Sequence, residues 1–249
     1  MAEISFELVN SVGWIVLNRP TRGNALSASL VEDLIEAVQT CIDNDTVHTV
    51  VIAGAGRHFC TGFDLDGLDQ STDADLLHRF VRIERLLDLV WRAPLRTVAV
   101  AHGRAIGAGA DLCVACDQRV LTADASVRFP GAGFGIVLGS RRLGLRVGET
   151  RALQWVSEGL TIDSKLALET GLASQLAADE CDAVTDRIRS ALPLPELAVD
   201  RQSYAALKQA IRSASQESAD CDLAALVRSA SRPGLQQRLL AYRDRHARR

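Results

Sequence analysis

Hydrophobic residues near the start of the chain fall into short runs that are typical of β-strands. The first two runs are joined by Asn10-Ser11-Val12-Gly13, a turn-forming segment. Two later runs are almost wholly apolar and rich in β-branched residues, as in strands that are buried on both faces of a parallel sheet. Strands are therefore predicted at 4–9, 14–17, 49–53, 97–101 and 119–121.

Between and after these runs, apolar residues recur at the three- and four-residue spacing of helices. The first predicted helix contains Leu30, Leu34, Val38 and Ile42, and Ser29-Leu30-Val31-Glu32 fits a capping box at its start. From about residue 141 onward the pattern is mostly helical. Further helices are predicted at 76–89, 107–116, 149–154, 163–169, 179–192, 197–211 and 234–245.

The alternation of strands with helices predicts a layered α/β fold with right-handed crossovers. Pro193 and Pro195 separate the last helices from this body, so we expect a helical C-terminal appendage. The length of 249 residues fits one large domain with such an appendage.

The composition is that of an ordinary globular protein, with 47% hydrophobic and 24% charged residues. A formal net charge of −3 supplies no general basic field, so neither nucleic acid nor membrane is expected as a partner. Residues 1–7 lack the basic start and apolar run of a secretory signal, and no apolar run reaches the ~18 residues of a membrane span. We therefore expect a cytoplasmic protein.

The six cysteines are expected to be reduced in that compartment. Cys113 and Cys116 form a C-x-x-C pair, a spacing found in redox and metal sites. The pair lies in an apolar, helical run with no second C-x-x-C. We interpret both as buried helix residues and expect no metal site.

Two loops of small residues, at 53–65 and 102–112, each follow a predicted buried strand. In open α/β sheets, ligands bind beyond the carboxyl ends of strands. Small residues let a ligand approach the backbone, and a helix start adds free N–H groups. Two such loops can aim two N–H donors at one oxygen, which is how developing enolate charge is stabilised.

A dinucleotide-binding fingerprint, G-x-G-x-x-G, is the competing interpretation of these loops. Gly54-Ala55-Gly56 has Phe59 where the third glycine belongs, and Gly107-Ala108-Gly109 has Leu112 there. A lone G-x-G is weak evidence, so this interpretation is disfavoured.

With these loops, the sequence resembles the crotonase, or enoyl-CoA hydratase/isomerase, superfamily. The resemblance rests on the order and spacing of four segments over roughly the first two-thirds of the chain, extended by Gly159-Leu160 and 166–173. It implies a crotonase-like core of ββα repeats at 1–192 and a helical region at 193–249 that assists trimerisation or closes the acyl site. The four segments are Leu17-Asn18-Arg19-Pro20 with Asn24-Ala25-Leu26; 59–65; Gly103 with 107–112 and Cys116-Asp117; and 129–135 with 139–143.

The resemblance implies that the protein binds an acyl-CoA thioester. The backbone N–H groups of Phe63 and Ala108 would form the oxyanion hole, and alanine at 108, where glycine is usual, is compatible with a backbone donor. Coenzyme A enters as part of the substrate, so no separate cofactor is expected. Arg22 is a candidate for the phosphates, or alternatively a solvated loop arginine. The residues assigned to binding are Arg22, Asn24, Ala25, Thr61, Gly62, Asp64, Leu65, Gly107, Pro130 and Gly131.

The two acids are where this chain departs from the family pattern. Family hydratases use two glutamates that together position and activate water. The first position holds Asp111, one methylene shorter, and the second holds Gly131, which has no ionisable group. Asp111 is assigned as acid or base if burial tunes its pKa, or alternatively as an anchor of the helix turn. Loss of one of two cooperating acids usually costs orders of magnitude in rate, which argues against ordinary hydration. A single acid suffices in principle for moving a double bond.

Other polar groups near the loops receive structural interpretations. Asp64 and Asp66 are expected to cap the next helix. His102, at the end of a buried strand, is expected to be a satisfied structural histidine. Arg128 is a candidate partner for a substrate carboxylate or Asp111, with a structural ion pair as the alternative.

Two functional hypotheses follow. The first is an acyl-CoA enzyme, isomerase- or hydratase-like, with another crotonase reaction such as thioester hydrolysis as a variant. The second is a non-catalytic or weakly active acyl-CoA-binding homologue, motivated by Gly131. The resemblance also implies a homotrimer or hexamer.

Overall fold

The computed structural model describes residues 2–177, 194, 196–212 and 216–247. Two sheets are formed by nine strands within these residues, and the larger sheet has the strand order β1-β2-β3-β4-β6-β9. Its first pair is antiparallel and the remaining pairs are parallel. The strands are Ile4–Val9 (β1), Val12–Leu17 (β2), Thr49–Gly54 (β3), Arg96–Ala101 (β4), Arg104–Ile106 (β5), Gln118–Leu121 (β6), Ser126–Arg128 (β7), Thr161–Asp163 (β8) and Gln175–Leu176 (β9).

The α/β fold is confirmed, and the helices alternate with these strands before dominating the C-terminal part. Three short 3-10 helices at Pro20–Arg22, Leu68–Gln70 and Gly131–Phe134 complete the loops. The α-helices of the described residues are Ala28–Asp43 (α1), Asp73–Arg92 (α2), Ala108–Ala115 (α3), Ser140–Val147 (α4), Glu149–Glu158 (α5), Ser164–Glu169 (α6), Arg201–Arg212 (α7), Gln216–Ala230 (α8) and Leu235–Ala247 (α9).

The central strands β3 and β4 are buried along their whole length. On one face of the sheet, Val50 and Ile52 join the main core, which also contains inward residues of α1 and α2. On the other face, Val51 and Ala53 pack in a second cluster with Trp14. Burial on both faces explains why these strands are continuous apolar runs, as predicted.

The smaller sheet was not predicted from the sequence. It has the order β5-β7-β8, with β5 and β7 parallel and β7 and β8 antiparallel. Each strand has three residues and buries only its middle one, namely Ala105, Val127 and Ile162. A single inward residue leaves no alternation for a sequence pattern to show.

The predicted capping box at Ser29 is wrong. Helix α1 begins two residues earlier than predicted, with Ser27 as its N-cap accepting a hydrogen bond of 3.0 Å from Leu30 N–H. Ser29 instead donates to Glu3 at 2.8 Å. A capping box is instead found at the start of α2, where the side chains of Thr72 and Asp75 each accept a hydrogen bond from the other residue's backbone N–H.

The C-terminal helices pack closely on the core. Asp117, at the end of α3, accepts hydrogen bonds from Tyr204 at 3.2 Å and Lys208 at 3.0 Å, and it also pairs with Arg212. Helices α8 and α9 contribute Leu226, Ala230, Leu235 and Leu239 to an apolar cluster with Phe80 of α2. This cluster places the end of the chain against the loops that follow the sheet.

The predicted helix at 179–192 and the predicted boundary at 192/193 lie outside the described residues. Within the described part of the chain, no helix combines the length and apolar character needed to cross a bilayer.

Candidate active site

The two loops singled out in the sequence are hydrogen-bonded to each other. Cys60 donates to the Arg104 carbonyl at 3.1 Å, and Ile106 donates back to the Cys60 carbonyl at 2.9 Å. Gly62 has a φ of +94°, and a Cβ built on it would lie 2.5 Å from the Ile106 carbonyl oxygen and 3.4 Å from the Ala108 nitrogen. Only glycine lets the first loop approach the second this closely.

This approach brings together the N–H groups of Phe63 and Ala108. The neighbours of Phe63 are engaged with Leu26, which donates to the Gly62 carbonyl at 2.7 Å and accepts from Asp64 N–H at 3.2 Å. Ala108 is the first residue of α3, where backbone N–H groups have no partner within the helix. Neither N–H group donates to another atom of the residues that the structure describes. Both are available to an oxygen placed between the loops.

A cavity opens at these donors and extends into the apolar cluster. Leu65, Thr61, Gly62, Gly107, Pro130 and Gly131 line it, as do the two donor residues. Its remaining wall is mostly hydrophobic and comes from α2, the 131–138 segment, α4, α5 and α9. That wall consists of Phe80, Ile106, Phe129, Ala132, Phe134, Ile136, Leu138, Ser140, Leu143, Val156, Leu239 and Tyr242.

Asp111 is the carboxyl group of this cavity. It lies in the first turn of α3, and only 5% of its surface is exposed. Burial raises the pKa of Asp111 well above its ordinary value, the charge of Glu84 raises it further, and Arg142 opposes both. No hydrogen bond to its carboxylate comes from the described residues, so the group is free to exchange a proton with a ligand.

The arrangement therefore combines two backbone donors, one raised-pKa carboxyl and an apolar cavity. A family model described as enoyl-CoA hydratase/isomerase matches residues 7–235. The chain belongs to this family.

Individual proteins are similar to this chain over about two thirds of its length in sequence and over nearly all of it in structure. The probable enoyl-CoA hydratase echA6 of Mycobacterium leprae is 38% identical over 172 residues, which are 66% of this chain and 67% of that protein. Ethylmalonyl-CoA decarboxylase of Mus musculus is 34% identical over 181 residues, 70% of this chain and 56% of that protein. A crystal structure of an enoyl-CoA hydratase/isomerase candidate from Bordetella parapertussis, 36% identical, superposes with a TM-score of 0.85 over 97% of this chain and 98% of that chain. The chain is therefore an acyl-CoA-processing enzyme of the hydratase/isomerase type.

The second acid position of the family's hydratases holds Gly131, at the start of the 3-10 helix Gly131–Phe134. A Cβ built there would lie 3.2 Å from the Ile136 carbonyl oxygen, a contact that a small shift relieves. The position faces the cavity, yet it contributes no proton donor or acceptor side chain. Of the described residues that line the cavity, Asp111 alone carries a carboxyl group.

Four of the predicted binding residues do not line the cavity. Asn24 is fully buried, and its amide bonds to Ala55 and His58 carbonyls and to Arg19 N–H, so its side chain shapes the loop. Ala25 is buried beside it. Arg22 is exposed and pairs with Asp66 at 2.8 Å. This loop reaches the cavity through Thr61, whose N–H donates to the Gly23 carbonyl at 2.9 Å.

Asp64, the fourth of them, and Asp66 do not cap a helix, which corrects the sequence prediction. Asp64 is 6% exposed and pairs with Arg19 at 2.8 Å, while its second oxygen accepts from Asp66 N–H at 3.0 Å. The next α-helix is capped by Thr72 instead. The Asp64 carboxylate thus joins the Arg19 loop to the first donor loop, whereas the Asp66 side chain makes an exposed pair with Arg22.

The other polar groups have structural contacts. His102 is buried and lies outside the cavity, with Nε2 2.7 Å from the Gly56 carbonyl oxygen. Its Nδ1 is buried without a hydrogen-bond partner among the described residues, so the predicted satisfied histidine is only half satisfied. Arg128 donates to the Gly159 carbonyl at 3.0 Å, and no ion pair joins it to Asp111 or to another described carboxylate. Cys113 and Cys116 are buried and free, and burial raises the pKa of Cys113 to about 11.

An ion pair behind Asp111 was missed by the sequence analysis. Arg142 of α4 donates to both oxygens of Glu84 of α2 at 2.7 and 3.2 Å, and both residues are almost fully buried. Asp88 and Asp222 lie 3.6 and 3.4 Å from the same guanidinium. Glu84 lies one helical turn after Phe80 and therefore on the same inward face of α2. A charged residue on that apolar face was the signal in the sequence that could have indicated a buried ion pair.

Proposed function

We propose that this enzyme moves a carbon–carbon double bond along an acyl-CoA chain, as an enoyl-CoA isomerase. The observation that carries the proposal is that Asp111 is the single carboxyl group among the described residues that line the cavity, while glycine occupies the second acid position at 131. Moving a double bond needs one group that removes a proton and returns it. Hydration needs a second group to position water.

In the proposed reaction, ionised Asp111 removes a proton from the carbon next to the thioester carbonyl of a 3-enoyl-CoA. Electrons move into the carbonyl, and the resulting enolate oxygen accepts hydrogen bonds from Phe63 and Ala108 N–H. Protonated Asp111 then delivers the proton to the γ-carbon, which gives the conjugated 2-enoyl-CoA. The raised pKa of Asp111 makes its carboxylate a stronger base than an exposed aspartate.

The cavity wall supports an apolar acyl group. Beyond Asp111, the lining is dominated by aromatic and aliphatic side chains such as Phe80, Ile136, Leu143 and Leu239. Burial of methylene groups here would stabilise binding by about 0.8 kcal/mol each. We therefore place the thioester at the donors and the acyl chain in the apolar cluster.

A panel of 2-enoyl- and 3-enoyl-CoA thioesters tests the reaction, with formation of the conjugated thioester followed by absorbance and hydration products by mass spectrometry. Isomerisation by the wild type and its loss in Asp111→Asn are expected. Predominant hydration would contradict the proposal, as would thioester cleavage. Tight binding with no conversion of any substrate would favour the non-catalytic alternative.

Gly131→Glu is the matched gain-of-function variant. It adds a second carboxyl group at a position that lines the cavity, with a small shift at Ile136. Hydration should increase in this variant while thioester binding changes little. An equal loss of isomerisation and binding would mean that the glutamate only blocks the cavity.

The oligomeric state is also a proposal, namely a homotrimer or hexamer. It is supported by the family resemblance and by the exposed leucines of α4 and α5, where Leu145 is 58% and Leu153 is 64% exposed. Apolar side chains with that exposure suit an interface between subunits. Light scattering of the purified protein decides this, and a clean monomer would refute it.

A further inference from the structure

A basic groove lies on the outer side of the 3-10 helix Gly131–Phe134, behind the cavity wall. Its floor is the backbone of residues 132–135, and its other side is a face of α9. Arg238 and Arg245 are seven residues apart, which places both on that face of the helix. Arg232, from the loop before α9, completes the groove.

Arg238 is held in place and yet is incompletely bonded. Its Nη2 donates to the carbonyl oxygens of Ala230 at 3.3 Å and Arg232 at 3.1 Å, which fixes the guanidinium at the end of α8. Its Nε and Nη1 are buried and have no hydrogen-bond partner. Buried donors without partners carry a free-energy cost that a bound acceptor would remove.

Arg232 brings a second guanidinium to the same point. A Cβ built on Gly135 would lie 3.1 Å from Arg238 Nη1 and 3.2 Å from Arg232 Nη1, so both groups flank one small volume. Burial and the charge of Arg232 lower the pKa of Arg238. Two like charges held this close are unfavourable unless a negative charge lies between them.

No carboxylate of the described residues supplies that charge. The charge of Asp73 acts on Arg238 but forms no ion pair with it, and the Asp73 oxygens accept from the backbone N–H groups of Gly234, Leu235 and Gln236 at 2.8 to 3.1 Å. Arg232, Arg238 and Arg245 form no ion pair within the described part of the chain. The groove is therefore basic and uncompensated.

We propose that this groove binds a phosphate group between Arg232 and Arg238. A tetrahedral dianion matches two facing guanidiniums in charge and offers the several acceptor oxygens that the free donors need. The group could be a free phosphate or a phosphate of the coenzyme A of a bound substrate. In either case it would join α9, which carries Leu239 and Tyr242, to the turn that carries Gly131 and Phe134.

Thermal unfolding in sodium phosphate, compared with sodium chloride at equal ionic strength, tests the site. A ligand that binds only the folded state raises the unfolding temperature in a saturable way. The wild type should show such a rise with phosphate, and Arg232→Gln with Arg238→Gln should weaken phosphate binding by at least about tenfold. Arg228→Gln is the matched control, since Arg228 is exposed on α8 and should leave the response unchanged.

Arg232→Gln alone keeps the test valid if the double variant is unstable. The Arg232 side chain makes no hydrogen bond to the described residues, so its removal should weaken phosphate binding without lowering stability in chloride. No phosphate-specific stabilisation of the wild type would overturn the proposal. An undiminished phosphate response in the double variant would overturn it as well.

Calorimetry with coenzyme A and with pantetheine distinguishes the two sources of the phosphate. If it belongs to coenzyme A, the double variant should bind coenzyme A at least about tenfold more weakly and pantetheine equally well, and coenzyme A should compete with phosphate. If the phosphate is free, coenzyme A binding should be unchanged and both ligands should bind together. The two results support the same site with different occupants.

Discussion

Gly139 lies directly against the carboxylate of Asp111, so that a Cβ built on Gly139 would overlap the acid's side chain. Gly139 is the N-cap of α4 and has a φ of +66°, a conformation that favours glycine. The start of α4 thus limits where the Asp111 side chain can point.

Gly139→Ala should therefore displace Asp111 and reduce turnover by at least about tenfold, because small misplacements of a catalytic group are costly. Strain should lower the free energy of unfolding by about 1–3 kcal/mol. Gly148→Ala is the control, since Gly148 ends the same helix with a φ of +85° and has no atom within 4 Å of its built Cβ. Equal kcat values in the two variants would contradict this account.

The raised pKa of Asp111 makes stability depend on pH in a defined direction. Because the folded state holds the proton more tightly than the unfolded chain, this group favours folding below the ordinary aspartate pKa of about 3.9. That contribution is lost as the pH rises through the pKa of the folded state. Asp111→Asn, which cannot ionise, should unfold at a higher temperature than the wild type at neutral pH, and the difference should vanish in acid.

Activity should change in the opposite sense, since the base must be ionised. We expect kcat/KM of the wild type to rise with pH through an apparent pKa above the usual aspartate range. Asp66→Asn, at an exposed carboxylate outside the cavity, serves as the control. For the stability prediction, a pH–stability curve of Asp111→Asn that parallels the wild-type curve would refute the assignment of a raised pKa to Asp111.

The buried ion pair behind the site should matter for both stability and pKa. Glu84→Gln leaves Arg142 without its main partner, and breaking a buried pair in this way costs up to about 3–5 kcal/mol in urea unfolding. Loss of the Glu84 charge should also lower the pKa of Asp111 and shift the pH–activity curve to lower pH.

Glu32→Gln is the matched control for that variant. Glu32 pairs with Arg82 at 2.6 Å on the surface, where the two side chains are 52% and 35% exposed. Such pairs contribute about 0–1 kcal/mol. A similar loss of unfolding free energy in both variants would mean that the buried Glu84–Arg142 pair stabilises the protein no more than a surface pair does.

The close approach of the two donor loops can be tested by comparing substitutions at Gly62 and Gly67. Gly62→Ala would place a Cβ 2.5 Å from the Ile106 carbonyl oxygen and so push apart the two N–H donors. Removing one oxyanion donor elsewhere costs ~10²–10³ in kcat, and we expect a loss of that order. Gly67→Ala, with a φ of +70° and no neighbour within 4 Å, should retain activity.

Local sequence patterns predicted the long, buried elements of this fold. Strands β3 and β4 are buried throughout, so their apolar runs were unambiguous. The two loops were singled out by their small residues, and the donor roles of Phe63 and Ala108 within them stay a prediction. The capping box was misplaced at Ser29, because the S-x-x-E spacing does not show that Ser27 accepts from Leu30 N–H while the Ser29 hydroxyl donates to Glu3, a residue distant in the sequence.

The cavity wall and the groove could not be predicted in the same way. Leu239 and Tyr242 lie at the far end of the chain from the donors, and their place in the wall follows from the packing of α9. The pairing of Glu84 with Arg142 likewise joins distant helices. Such contacts depend on tertiary packing, which periodicity within one helix does not encode.

The contribution of α9 to the wall also sets an order of events during synthesis. Chains grow from the N-terminus, so the donors and Asp111 emerge well before Leu239 and Tyr242. A nascent or truncated chain that ends before Leu235 would carry the reactive groups in an open trough exposed to water. Before α9 is made, the cavity therefore lacks the part of its wall that Leu239 and Tyr242 form.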